Sequence, residues 1–147
     1  MNLQTWTTRL APWVKDAKAV HPEVCDWIGI YFRESFITGK PSEDLVLGPY
    51  LGDATEHTRI PISRGLCGMA VREERVINVS DVRAESEHIA CSLKTRSELV
   101  IPLKNSQGNI VAELDIDCNQ LAAFTPSIEQ KFKNYCEGFS AFLERGA

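Results

Sequence analysis

Apolar residues recur at every third or fourth position at the start of the chain: Leu3, Trp6, Leu10, Trp13, Val14 and Ala17. That spacing predicts an amphipathic helix over Leu3 to Val20, one face on a core, with Pro22 ending it. Both tryptophans read as packing. The period then drops to two. Trp27 to Arg33 is rich in β-formers and predicts a strand, with Ile28, Ile30 and Phe32 on one face and Trp27, Gly29 and Tyr31 on the other. Glu34 to Glu43 reads as a turn-rich link, Asp44 to Leu47 as a short strand, Gly48-Pro49 as a turn, and Tyr50 to His57 as a loop. A short strand at Thr58 to Ile62 follows, broken at Pro61. Leu66, Met69 and Ala70 open a short helix behind Gly65, and Val76 to Val79 is a strand. Leu99 to Leu103 and Asn109 to Asp117 are strands joined as a hairpin by residues 104–108. Thr125-Pro126 supplies the cap and first position of one last helix, whose stripe is Ile128, Phe132, Tyr135, Phe139, Phe142 and Leu143.

A helix, about six mainly antiparallel strands and a final helix make an α+β fold, with the terminal helices on one sheet face. The 147 residues suit one domain, residues 1–147, with helices at 1–20 and 125–145. A net charge of −4 leaves no basic footprint for nucleic acid or an anionic membrane. Residues 1–20 lack the continuous apolar core of a signal peptide, and no run is long enough to span a bilayer, so the expected address is the cytosol. The five cysteines, at 25, 67, 91, 118 and 136, contain no CxxC, which in a reducing compartment points to inert buried thiols or a reactive pair.

Two patterns carry chemistry. Glu113, Asp115 and Asp117 alternate with Ala112, Leu114 and Ile116, so three acids share one strand face. Pairing Lys104 with Asn109 would set Glu98 opposite Asp115, an arrangement that needs a ligand ammonium or a protonated carboxyl. A solvated face is the alternative. Trp27 and Tyr31, on either side of Gly29, read either as packing or as two walls of a hollow for a methyl thioether. The other pattern is sulfur. Cys67 falls in the first turn of its helix, where the dipole favours a thiolate. Cys91 follows His88 by three positions, and a neighbouring imidazole activates a thiol. Cys25 and Cys136 read as inert. His57, Cys67, His88 and Cys91 also form a zinc-capable donor set, although their spacing fits no finger pattern.

Taken together, Asp26-Trp27-Ile28-Gly29-Ile30-Tyr31, Leu45 to Tyr50, Thr58-Arg59-Ile60-Pro61, Arg64-Gly65-Leu66-Cys67-Gly68, His88-Ile89-Ala90-Cys91, Ser97 to Leu103 and Leu114-Asp115-Ile116-Asp117 resemble the free methionine-(R)-sulfoxide reductases. These are single GAF-domain enzymes, and the likeness runs in order over about residues 26 to 125. It implies a GAF-like fold and reduction of free, not peptide-bound, methionine sulfoxide, without organic cofactor or metal. It assigns Cys91 as the attacking cysteine and Cys67 as the resolving one. Glu98, Asp115 and Asp117 become the substrate-binding and proton-supplying carboxylates. Trp27 and Tyr31 become the aromatic wall, and Ile89 lies in the loop over the substrate. A thioredoxin-like reductant and a homodimer through the terminal helices come with the resemblance. Two positions depart from the pattern: His57 stands where the family carries a third cysteine, and Ser92 follows HIAC in place of Asp. The His57 departure opens a second reading, a non-catalytic GAF module that binds an amino-acid-like ligand or senses redox state through Cys67 and Cys91.

Overall fold

The strand with the strictest alternation is also the most enclosed. In the computed structural model, which describes residues 1–86 and 94–145, strand Ile110–Cys118 is buried at every position. It lies inside a six-stranded antiparallel sheet. In chain order the strands are β1 (Trp27–Arg33), β2 (Asp44–Leu51), β3 (Arg59–Pro61), β4 (Ile77–Val79), β5 (Ser97–Lys104) and β6 (Ile110–Cys118). Their spatial order is β3-β2-β1-β6-β5-β4, so β1 and β6 are central.

Helices cover both faces. Helix α1 (Leu3–Val20), together with α4 (Pro126–Cys136) and α5 (Phe139–Arg145), packs on the face formed by Ile28, Ile30, Phe32, Leu99, Ile101, Leu114 and Ile116. This is the predicted placement of the terminal helices. Trp13 anchors the layer, its ring 4.7 Å from that of Tyr135 and 5.2 Å from that of Phe139. The opposite face is covered by α3 (Gly65–Glu73), which sets Leu66, Cys67, Ala70 and Val71 against Trp27, Tyr31, Ile77 and Val100. Helices therefore lie on both sides of the sheet.

Several local expectations are corrected. Residues Glu34–Thr38 form a short helix, α2, inside the link read as turns, closed by Gly39 in the left-handed region. Strand β2 runs through Gly48-Pro49 instead of turning there. A register shift opposite Gly29 and Tyr31 takes up the irregularity, so Pro49 sits where ladder pairing is already broken. The last helix is two helices, interrupted at Glu137-Gly138, where the Gly138 amide donates to the Tyr135 carbonyl in a tighter turn. Thr125 caps α4 as predicted, accepting from the Ile128 amide.

The β5–β6 register differs from the expected one by two residues. Asn105 pairs with Asn109 across a turn with Gly108 at φ +83°, and a bulge between Leu103 and Lys104 adds a further step. Glu98 therefore lies opposite Asp117, and Val100 opposite Asp115. An even-numbered shift returns each side chain to the same face. The acids stay together, with their partners exchanged.

Candidate active site

The three acids of β6 face the three residues of β1 that share their side of the sheet: Asp117 pairs with Trp27, Asp115 with Gly29 and Glu113 with Tyr31. From the other side β5 brings Glu98 beside Asp117. Helix α3 closes the top with Cys67. The result is four carboxyl groups and a thiol in one enclosed volume. Glu98, Glu113, Asp115 and Asp117 are 4%, 0%, 1% and 2% exposed, which rejects the solvated-face alternative.

Burial dominates the electrostatics. It raises all four carboxyls well above the ordinary carboxylate range, and neighbouring negative charge adds to it: Asp117 acting on Glu98, Glu98 on Asp115, and Asp115 on both Asp117 and Glu113. Both carboxyl oxygens of Glu113 and of Asp115, and one of Asp117, are buried with no donor among the described residues other than the Cys67 thiol and the carboxyls of the cluster itself. Ionised carboxylates only accept, so these groups can bond to one another only where one holds a proton. The cluster thus holds its protons more tightly than free carboxyls do, in the direction the sequence suggested for a facing pair.

Cys67 reverses an expectation. Its place in the first turn of α3 predicted a stabilised thiolate. Burial instead pushes its pKa well above the usual thiol value, and Asp115, Glu113 and Glu98 push it further. Several nearby carboxyls outweigh a helix dipole that falls off within one turn. Sγ of Cys67 and carboxyl oxygens of Glu98 and Asp115 lie within 4.8 Å of one another. Of the zinc-capable set His57, Cys67, His88 and Cys91, His88 and Cys91 lie outside the described residues; the three-donor group found at Cys67 among the described residues has two carboxylates and no histidine.

The aromatic wall also differs from the hollow predicted over Gly29. The Trp27 indole folds across that glycine and stacks on Tyr50 at 5.5 Å, 15° from parallel. A β-carbon at Gly29 would meet Trp27 at 2.6 Å and Tyr50 at 2.7 Å. Trp27 Nε1 donates to the Asp53 carbonyl, 3.1 Å away, which ties the 52–53 loop to the ring. Tyr31 is fully buried, and its hydroxyl donates to the His57 carbonyl at 2.7 Å. A cavity of about 140 Å³ opens beside the outer edge of Trp27, lined by Asp26, Gly52, Asp53, Thr95, Asp117 and Asn119 among others. Asp117 belongs to both the cavity and the acid cluster. Gly29→Ala is expected to lower stability by about 1–3 kcal/mol, because the new methyl displaces the ring. A urea midpoint equal to that of the unaltered chain would contradict this packing.

The GAF domain family matches residues 24–136. The chain belongs to the GAF-domain family. This GAF domain is 38% identical over 105 residues to the free methionine-R-sulfoxide reductase of Escherichia coli K12, covering 71% of this chain and 58% of that protein. It is 39% identical over 106 residues to GAF domain-containing protein A of Dictyostelium discoideum, covering 72% and 61%. The matched part thus spans about three-fifths of these curated relatives. Among solved structures, the free methionine-R-sulfoxide reductase of Neisseria meningitidis in complex with its substrate superposes with a TM-score of 0.82 at 32% identity, over 96% of this chain and 79% of that one. The GAF domain is thus similar to proteins described as free methionine-R-sulfoxide reductases.

Of the residues singled out in the sequence, the GAF fold brings together Cys67, Glu98, Asp115, Asp117, Trp27 and Tyr31. Cys91, Ile89 and His88 lie outside the described residues. Glu113, which the sequence places on the acidic face without a role, is as buried as the others. Its signal was the unbroken alternation, which places it with Asp115 and Asp117. Cys25 has its thiol pushed up to about 12, chiefly by burial, and burial also raises Cys136 and Cys118. All three read as unreactive. Among the described residues no helix is long and apolar enough to cross a membrane.

Proposed function

We propose that the chain reduces free methionine-(R)-sulfoxide to methionine through a cysteine cycle. The observation that carries this reading is the proton-holding cluster of Glu98, Asp115 and Asp117, packed around Cys67 and reaching the cavity beside Trp27. A sulfoxide oxygen is a poor leaving group until protonated, and a buried carboxylic acid supplies that proton. The similarity to free methionine-R-sulfoxide reductases supports the same chemistry.

The Cys91 thiolate attacks the sulfoxide sulfur while a carboxyl, Glu98 with Asp115 or Asp117, protonates the oxygen. Methionine leaves reduced by two electrons, and Cys91 is left as a sulfenic acid. The carboxylate that gave up its proton now adjoins Cys67 and accepts the thiol proton. Cys67 then attacks Cys91, a disulfide forms, and the hydroxyl departs as water. A thioredoxin-like dithiol, the expected reductant of a cytosolic protein, returns both thiols by exchange. Trp27 shields the methyl end of the substrate, Tyr31 holds the His57 segment behind it, and Ile89 is assigned to substrate binding by the resemblance alone. Dimerisation through the terminal helices belongs to the same proposal.

The deciding experiment supplies purified protein with thioredoxin, its reductase and the separated epimers of free methionine sulfoxide. Turnover of the R epimer alone is expected. Binding of the sulfoxide by calorimetry with no methionine formed would replace this reading with that of a ligand-binding module.

A further inference from the structure

We propose that Cys67, Glu98 and Asp115 form a binding site for a zinc-class divalent cation, one that competes with the occupancy of the acid cluster by any other ligand. The proposal goes beyond the reductase reading and does not depend on it.

Three observations converge. The thiol sulfur and one oxygen from each carboxyl lie within 4.8 Å of one another, so a single ion at ordinary zinc–sulfur and zinc–oxygen lengths reaches all three with small side-chain adjustment. All three residues are buried, on strands β5 and β6 and the inner face of α3, so the donors sit on packed elements and not on loops. The surroundings also point to a cation. Glu113 and Asp115 bury oxygens that find no donor among the described residues outside the thiol and carboxyls of the cluster, and Asp117 buries another. A metal satisfies Asp115 directly, while Glu113 and Asp117 flank the site from the same strand face and can accept from a metal-bound water.

The donor types select the ion. A thiolate with two carboxylates suits zinc, cobalt or cadmium, whereas magnesium and calcium prefer all-oxygen sets. Three protein ligands leave a fourth position for water or another donor. An ion there would occupy the cluster that the proposed substrate also uses. If the reductase reading holds, zinc inhibits it by displacing the acidic protons needed at the sulfoxide.

The test uses the reduced, chelator-washed full chain and cobalt(II) as a spectroscopic probe, followed by zinc in competition. Expected are one cobalt per chain, a thiolate-to-cobalt charge-transfer absorption, and its loss when zinc is added. Cys67→Ser should abolish the charge-transfer band. Asp115→Asn should weaken zinc binding at least about tenfold while keeping the band at high cobalt. Cys25→Ser and Cys136→Ser should change neither, and they also control for binding at other thiols. Thermal midpoints for each variant separate lost binding from lost folding. Binding weaker than about 100 μM in the unaltered chain, or a band that persists in folded Cys67→Ser, overturns the site. A band lost in Cys91→Ser but kept in Cys67→Ser overturns it too, in favour of a different thiolate. These readouts need no sulfoxide, so failure of the metal site and failure of the reductase assignment are distinguishable.

Discussion

Replacing Cys91 by serine is expected to reduce methionine formation to background, a loss on the order of 10⁴-fold or more, as removal of an enzyme nucleophile commonly does. Cys67→Ser should behave differently. Its first turnover should proceed, because neither attack on the sulfoxide nor protonation of its oxygen needs the second sulfur. The cycle should then stop, since thioredoxin attacks a disulfide and Cys91 would remain a sulfenic acid. Rapid quenching should show one methionine per chain followed by arrest under thioredoxin. The division of roles follows from the site. Cys67 is enclosed by carboxyls that hold it protonated, so it is poorly suited to attack first. A neighbouring carboxylate that has given its proton to the substrate then serves as the general base that takes the thiol proton as Cys67 attacks. Multiple turnovers by Cys67→Ser under thioredoxin would remove the resolving role. Turnover by Cys91→Ser would remove the mechanism.

The second large effect is on stability. The carboxyls of Glu98, Glu113, Asp115 and Asp117 are raised by burial, so the folded chain keeps protons that the unfolded chain releases near pH 4. A carboxyl raised on folding leaves stability untouched below its unfolded pKa. Above that value it lowers stability steadily until the folded pKa is reached. Measured in chelator without ligand, stability should fall as pH rises above the unfolded carboxyl range near pH 4, with a slope of up to about 1.4 kcal/mol per pH unit for each proton retained only by the folded chain. Asp115→Asn should flatten this dependence and raise the urea midpoint at pH 8 while abolishing turnover, because the amide needs no proton and cannot deliver one. Such an exchange of stability for function is common at active sites. A pH profile of the same slope in Asp115→Asn would mean that Asp115 holds no excess proton.

Amphipathic spacing alone was enough to place α1 at Leu3–Val20 and to start α4 at Thr125-Pro126, because helix period and caps are local properties. Strict alternation along β6 likewise determined that Glu113, Asp115 and Asp117 share a face, and that Trp27 and Tyr31 share one on β1. The resemblance in RGLCG, HIAC, SE and LDID pointed to the GAF family, which the comparisons bear out.

Tertiary structure decided what those faces meet. Alternation cannot distinguish a wet strand face from one covered by α3, because the covering helix lies some forty residues away in sequence. The partner of Glu98 depended on a bulge and a turn conformation that a pattern of period two does not encode. The direction of the Cys67 shift depended on carboxyls from two strands, contacts of long range whose sum outweighs the local helix end. Chain order supplied the groups. Their burial, and therefore their protons, came from the packing of α3 over the centre of the sheet.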